Sequence, residues 1–192
     1  IDAVATPEAL AARWDDDVAE LAATRVGAAR ASVVAPLREL VDRYLRARRP
    51  LLAARLAGGH ICDGQGDLLA DDIFCLDDGP RILDCLAFAD HLRWGDVASD
   101  LAFLAMDLEH LGRPDLADRL WSAYAQASGE QHPASLADFY VAQRALVRAL
   151  VHALRAGQLA TSDSTVADES RSVDEFLDLA RRHLHRAEPR IV

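Results

Sequence analysis

The chain contains no lysine and no asparagine, one methionine, three cysteines and few aromatic residues, 6% of the total. All 21 basic side chains are therefore arginines, against 31 acidic ones, for a formal net charge of −10. The absence of lysine removes the ammonium that normally holds nucleotide phosphates. With alanine, leucine and arginine dominant, these absences reflect a biased coding composition before they reflect function. The charge balance excludes nucleic acid as an expected partner, because phosphate binding needs clustered cations and here arginines are interleaved with acids. An acidic face tolerates a cationic ligand, and the net charge also favours solubility.

No run of eighteen apolar residues occurs, and no basic region followed by an apolar segment opens the chain. Neither a membrane span nor a signal peptide is expected, and the protein reads as cytoplasmic. Cys62, Cys75 and Cys85 show no Cys-x-x-Cys spacing and are expected to be buried, reduced thiols. His183 and His185 are two apart on a predicted helix, so they face different ways, and no His-Glu-x-x-His pattern offers a zinc site.

At 192 residues, 51% of them hydrophobic, the chain can bury a sizeable core. Thr6 caps a predicted helix with Pro7 at its first position and Leu10, Trp14, Val18 and Leu21 on one stripe. A second helix is expected over 31–48 and a short third over 50–57, with Gly58-Gly59 as its stop. Strand signals are confined to His60–Cys62, Ile73–Leu76 and Arg81–Asp84, followed by an irregular stretch over 88–94. Helices follow over 96–111 (Val97, Leu101, Leu104 and Leu108 inward), 114–128 (Leu116, Leu120 and Tyr124 inward) and 135–156 (Phe139, Leu146, Leu150 and Leu154 inward), the last stopped by Gly157. The Ser-, Thr- and Asp-rich stretch 158–171 reads as a linker, and Ser172 with Glu175 as a capping box for one more helix. Arg190-Ile191-Val192 resembles the opening of a strand. The expected division is a domain over 1–157, the linker 158–171, and 172–192 as a helix and the start of a further module.

The most informative segment runs from Asp63 to Cys85. It sets Asp67 in a tight loop before one short strand and Asp84 at the end of the returning strand, so a hairpin can bring the carboxylates together. That arrangement suits magnesium-dependent phosphoryl transfer, in which a carboxylate positions the acceptor hydroxyl and hard oxygen ligands hold the metal. Asp67 would accept the hydroxyl proton, Asp84 would bind magnesium, and Asp72, five residues after Asp67, would serve a second metal position. The alternative is that these aspartates simply occupy turns. Asp96 reads as a helix cap, Trp94 as packing over the hairpin, His60 as structural, and Arg181-Arg182 as a solvated face.

Gly66-Asp67-Leu68 with Asp72, then Ile82-Leu83-Asp84, then Arg93-Trp94-Gly95-Asp96 through Asp100-Leu101-Ala102, resembles the C-terminal lobe of the aminoglycoside phosphotransferase family. The similarity is closest to a bacterial branch in which this kinase-like module precedes a P-loop nucleotide-binding module. The resemblance implies a mainly α fold with a small antiparallel β-hairpin, equivalent to the large lobe of a kinase, without an N-lobe. It puts Asp67 at the catalytic aspartate, Asp84 at a metal-binding aspartate, and Asp100 at the helix aspartate that braces the catalytic loop. Gln65 stands where the family has His and is expected to support the loop; Asp72 stands where it has Asn. ATP and Mg²⁺ are the implied cofactors, a small-molecule hydroxyl the implied acceptor, and a P-loop module a possible partner. Activity is expected only when a nucleotide-binding lobe is supplied, since no Gly-rich strand-turn-strand precedes residue 60 and no Walker motif occurs. Two other readings stay open: a catalytically degenerate module serving as a helical platform for a P-loop domain, and a magnesium-dependent phosphohydrolase using the aspartate cluster alone, with Arg81 or Arg93 as the cation that stabilises the phosphoryl group.

Overall fold

The computed structural model describes residues 2–159 and 165–188. They form a mainly helical body with two small antiparallel sheets. Helix α1 (Pro7–Ala23) starts as its sequence dictates: the Thr6 hydroxyl accepts from the Ala9 amide at 3.1 Å, and Leu10, Trp14 and Leu21 are buried. After the single turn α2 (Arg25–Ala28), α3 runs unbroken from Ala31 to Ala57. The two helices expected here are one, with Pro36 and Pro50 inside it. Each proline removes one backbone hydrogen bond. The buried stripe of Val34, Leu37, Leu40, Val41, Tyr44, Leu45 and Leu52 carries the helix across both breaks.

Strand β1 (Ile61–Asp63) pairs with β4 (Trp94–Asp96), and β2 (Ile73–Leu76) pairs with β3 (Gly79–Ile82). A turn of helix, α4 (Asp90–Arg93), leads into β4, so the stretch expected to be irregular is partly ordered and contributes a strand. Trp94 lies opposite Asp63 in that sheet.

Helix α5 (Val97–His110) is capped by Asp96, whose Oδ1 accepts from the Ala98 amide at 2.9 Å. Its buried side is Ala98, Ala102, Phe103, Leu104, Ala105 and Met106, rotated from the expected stripe; Val97, Leu101 and Leu108 are half-buried. Helix α6 (Pro114–Ser128) buries only Ala117 fully. Helix α7 (Ala134–Gln158) is the central rod, with Phe139 stacked on Tyr44 at 4.4 Å between ring centroids. Gly157 lies within its last turn, and Leu154 is exposed.

Helix α8 (Thr165–Ala187) begins within the stretch expected to be a linker. Ser172 therefore sits inside a helix, its hydroxyl donating to the Asp168 carbonyl, and caps nothing. Val173, Phe176, Leu177, Ala180 and Leu184 join the same hydrophobic core as α1, α3, α5 and α7, so this helix is part of the main body. The unfinished strand expected at 190–192 and residues 160–164 lie outside the described residues. No described helix is long and apolar enough to cross a membrane.

Candidate functional site

The loop between β1 and β2 is held by side chains far away in sequence. The Asp100 carboxylate, on the first turn of α5, accepts from the Gln65 amide at 2.7 Å and the Gly66 amide at 3.1 Å. Residue 64 has to be glycine, because a Cβ there would lie 2.0 Å from Asp100 Oδ2. Gly66 adopts φ +89°, a region that L side chains rarely enter.

Gln65 ties this loop to the end of the hairpin. Its amide nitrogen donates to the Leu83 and Asp84 carbonyls at 3.2 and 3.1 Å, while its amide oxygen accepts from the Asp67 backbone N–H at 2.7 Å. One neutral side chain thus fixes the backbone at both Asp67 and Asp84. On the hairpin, the Leu83 amide donates to the Asp72 carbonyl at 3.0 Å and extends the Ile73–Ile82 register by one step. Asp72 and Asp84 consequently lie at the open end of the hairpin, nearest the loop that carries Asp67. Asp84 has φ +60°, the one non-glycine residue with positive φ among those described. Asp tolerates that conformation better than most residues, yet it is a strained state held by its surroundings.

Asp67 and Asp72 both feel neighbouring carboxylates. Burial raises the pKa of Asp67, with Asp72 and Asp84 adding to the rise and Arg148 and Arg144 opposing it. Burial likewise raises that of Asp72, reinforced by Asp84 and Asp71. None of Asp67, Asp72 and Asp84 forms an ion pair among the described residues, whereas many other acids here are matched to arginines. Unmatched, mutually repelling oxygen donors suit a hard divalent cation. No three His, Cys, Asp or Glu side chains among the described residues form a ready-made metal cage. Mg²⁺ does not require one, since it is commonly held by one or two carboxylates with water and substrate phosphate completing its shell.

Asp67 also lines a cleft of about 260 Å³ between α1, α7 and the loop. Arg13, Asp17, Arg144 and Arg148 supply the rest of its charged lining, and Phe103, Leu86, Leu92 and Val147 much of its apolar wall. Arg144 is 7% exposed; it donates from Nε to the Ser99 carbonyl, lies over the Phe103 ring, and approaches Asp100 to 4.0 Å. Burial pushes the Asp17 carboxyl up to about 6 in spite of Arg13 and Arg144 nearby. None of these four was singled out from sequence. Their pairing spans two helices far apart in sequence, α1 and α7, and a lone Arg or Asp in a helical repeat carries no local signal.

Beneath the site, Arg55 from α3 is buried against Asp96, with Nη2 donating to Oδ1 at 2.6 Å, and its Nη1 donates to Glu130 at 2.7 Å. Asp96 therefore both caps α5 and anchors α3. Arg93 pairs with Asp63 at 2.8 Å and Arg81 with Asp78 at 2.7 Å, so neither is a free cation. The cysteines are free thiols, but Cys75 and Cys85 are exposed and Cys62 half-buried, not the buried set expected. Cys75 stands in a strand whose neighbours Phe74 and Leu76 are also exposed, and Cys85 lies beyond the end of β3. His183 is buried between Asp138 and Glu109, at 2.7 and 3.0 Å, a structural ion cluster joining α8, α7 and α5.

Among known proteins the chain is similar to three uncharacterized proteins, two from strains of Mycobacterium tuberculosis and one from Mycobacterium bovis. Each is 44% identical over 191 residues, which cover 100% of this chain and 37% of the relative. The chain thus spans little more than a third of the length of these relatives. No family model matches it, and no solved structure matches it.

Proposed function

We propose that this chain is the acceptor-side lobe of a phosphotransferase related to the aminoglycoside phosphotransferases, transferring phosphate from ATP to a small-molecule hydroxyl. The observation that carries this reading is the Gln65 bridge, which locks the backbone of Asp67 to that of Asp84 while Asp100 clamps the same loop. A loop of turn-forming aspartates would not need a side chain that spans to the far end of a hairpin. Asp67 receives the acceptor proton at a carboxylate oxygen, and its raised pKa brings it nearer the range useful for a general base. Asp72 and Asp84 would hold magnesium, which when bound neutralises charge on the transferring phosphate. Gln65 in place of histidine keeps the hydrogen-bonding role without a titratable group. The lysine that this chain lacks would come from another part of a longer polypeptide, for which the length of the relatives leaves room.

A second reading, a degenerate module serving as a platform for another domain, is favoured by the apolar surface of the hairpin region. Phe74, Leu76, Ile82 and Leu83 are about half exposed and Phe88 is 83% exposed. Calorimetry of Mg·ATP binding to the longest natural polypeptide carrying these residues separates the two. Binding that is lost in Asp84→Ala supports the phosphotransferase; no binding, with a stable complex between this chain and a P-loop domain, supports the platform.

A further inference from the structure

The cleft beside Asp67 has the opposite charge character from the protein as a whole. In a chain of net charge −10, three arginines line one small cavity together with two carboxylates, Asp17 and Asp67; the Arg148 guanidinium also lies 5.9 Å from the Phe176 ring centroid. Arg13 and Arg148 have no ion pair among the described residues; Arg13 donates only weakly to the His91 carbonyl at 3.4 Å, and Arg148 Nε is buried without a hydrogen-bond partner. A buried N–H with no acceptor is costly, and an anion brought by a ligand would relieve that cost. Arg144 is fixed on the cleft floor by Ser99 and Phe103, so its charge is already oriented.

On the reading of Asp67 as the base, we infer that the acceptor is a small alcohol carrying a carboxylate or phosphate group, its anion seated on Arg13, Arg144 and Arg148 and its hydroxyl at Asp67. This differs from the cationic ligand that the overall charge would tolerate. The volume of about 260 Å³ lies at the lower end for ligand pockets and restricts the acceptor to a compact molecule. The apolar wall at Phe103 and Val147 packs the carbon skeleton between the two polar ends. In the transfer, the acceptor oxygen forms a bond to the γ-phosphorus of a nucleoside triphosphate and the bond from that phosphorus to the β,γ-bridging oxygen breaks. The hydroxyl proton passes to Asp67, and the nucleoside diphosphate leaves.

The test uses this chain, gluconate and glycerol 3-phosphate as anionic probes, sorbitol as a neutral one and kanamycin as a cationic one, with binding followed by NMR titration. The anions are expected to bind saturably and shift the amide signals of Asp67 and Arg148, while sorbitol and kanamycin do not. Arg148→Gln and the more accessible Arg13→Gln should each weaken the anions by about ten-fold, the loss of one charge-assisted contact. Equal affinity for sorbitol or kanamycin, or arginine variants that fold and bind unchanged, would overturn the inference. Asp67→Asn should leave anion binding intact or tighten it. If the anions bind but no polypeptide containing this chain transfers phosphate, the proposed activity fails and the anion cleft stands. Asp67-dependent transfer to kanamycin alone would do the reverse.

Discussion

Removing the Asp100 carboxylate should uncouple the whole loop, and its cost can be worked from its partners. Asp100→Ala leaves the amides of Gln65 and Gly66 without an acceptor and Arg144, buried on the cleft floor, without its nearest opposite charge in α5. Breaking such a partly buried charged cluster costs about 3–5 kcal/mol. That is a large share of the ~5–15 kcal/mol by which a domain is stable. With a urea m-value of about 2 kcal/mol/M, the unfolding midpoint should fall by roughly 2 M. Gly64→Ala should destabilise by about 1–3 kcal/mol in the parent, because its methyl would collide with Asp100 Oδ2. In the Asp100→Ala background the next obstacle is the Arg93 carbonyl at 3.4 Å, an ordinary contact, so the same change should cost less than about 0.5 kcal/mol. The double-mutant cycle, read by urea denaturation with fluorescence from the tryptophans, is therefore strongly non-additive. Additive losses would refute the picture of Asp100 packed against a glycine at 64, and a loss below about 1 kcal/mol for Asp100→Ala would refute its role as a brace.

Other outcomes follow from the same contacts. Asp17 is raised in the folded state from 3.8 to about 6, so folding disfavours its ionised form and stability falls as pH rises through that window. Asp17→Asn should abolish this slope and be about 1–3 kcal/mol more stable than the parent at pH 7 but not at pH 3, as measured by denaturation across pH. For His183, burial lowers the pKa but the Asp138 and Glu109 carboxylates outweigh it and leave it raised. Its contribution is full below the ordinary histidine value of 6.5 and is lost as pH rises through the higher folded value, so His183→Gln should flatten the alkaline side of the stability profile. A thiol reagent should modify Cys75 and Cys85 rapidly and Cys62 slowly, since burial and then the nearby Asp100 carboxylate raise the Cys62 pKa; three equal rates would contradict the exposure described.

Local signals were legible where they are self-contained. Thr6-Pro7 announced α1, and Asp96 announced the cap of α5, because a cap needs only its own first turn. Pro50 misled, because tertiary packing of Tyr44 and Leu52 on either side of it outweighs the one hydrogen bond that a proline removes. Strand β4 was not legible: three residues ending in a cap carry no alternation, and their pairing with β1 is a contact more than thirty residues away. Ser172 and Glu175 matched a capping box, yet the helix had begun at Thr165, so the pattern fell on an interior turn. At the site, a hairpin between Asp72 and Asp84 could be read from spacing, but the returning strand expected over 81–84 runs over Gly79–Ile82, so Asp84 lies past its end with φ +60°. The bridging geometry of Gln65 and the arginines of the cleft could not be read from spacing, because each depends on which helices become neighbours.

On the proposed function, Asp72 and Asp84 together hold a divalent cation beside Asp67. Titrating the isotope-labelled chain with Mn²⁺ and following paramagnetic broadening of its amide signals tests this most directly, since broadening reports even weak occupancy near a given residue. The signals around positions 67, 72 and 84 should broaden first, compete back on adding excess Mg²⁺, and stay sharp in Asp84→Asn. Broadening spread over the acidic surface, or a pattern at 67 and 72 unchanged by Asp84→Asn, would contradict it.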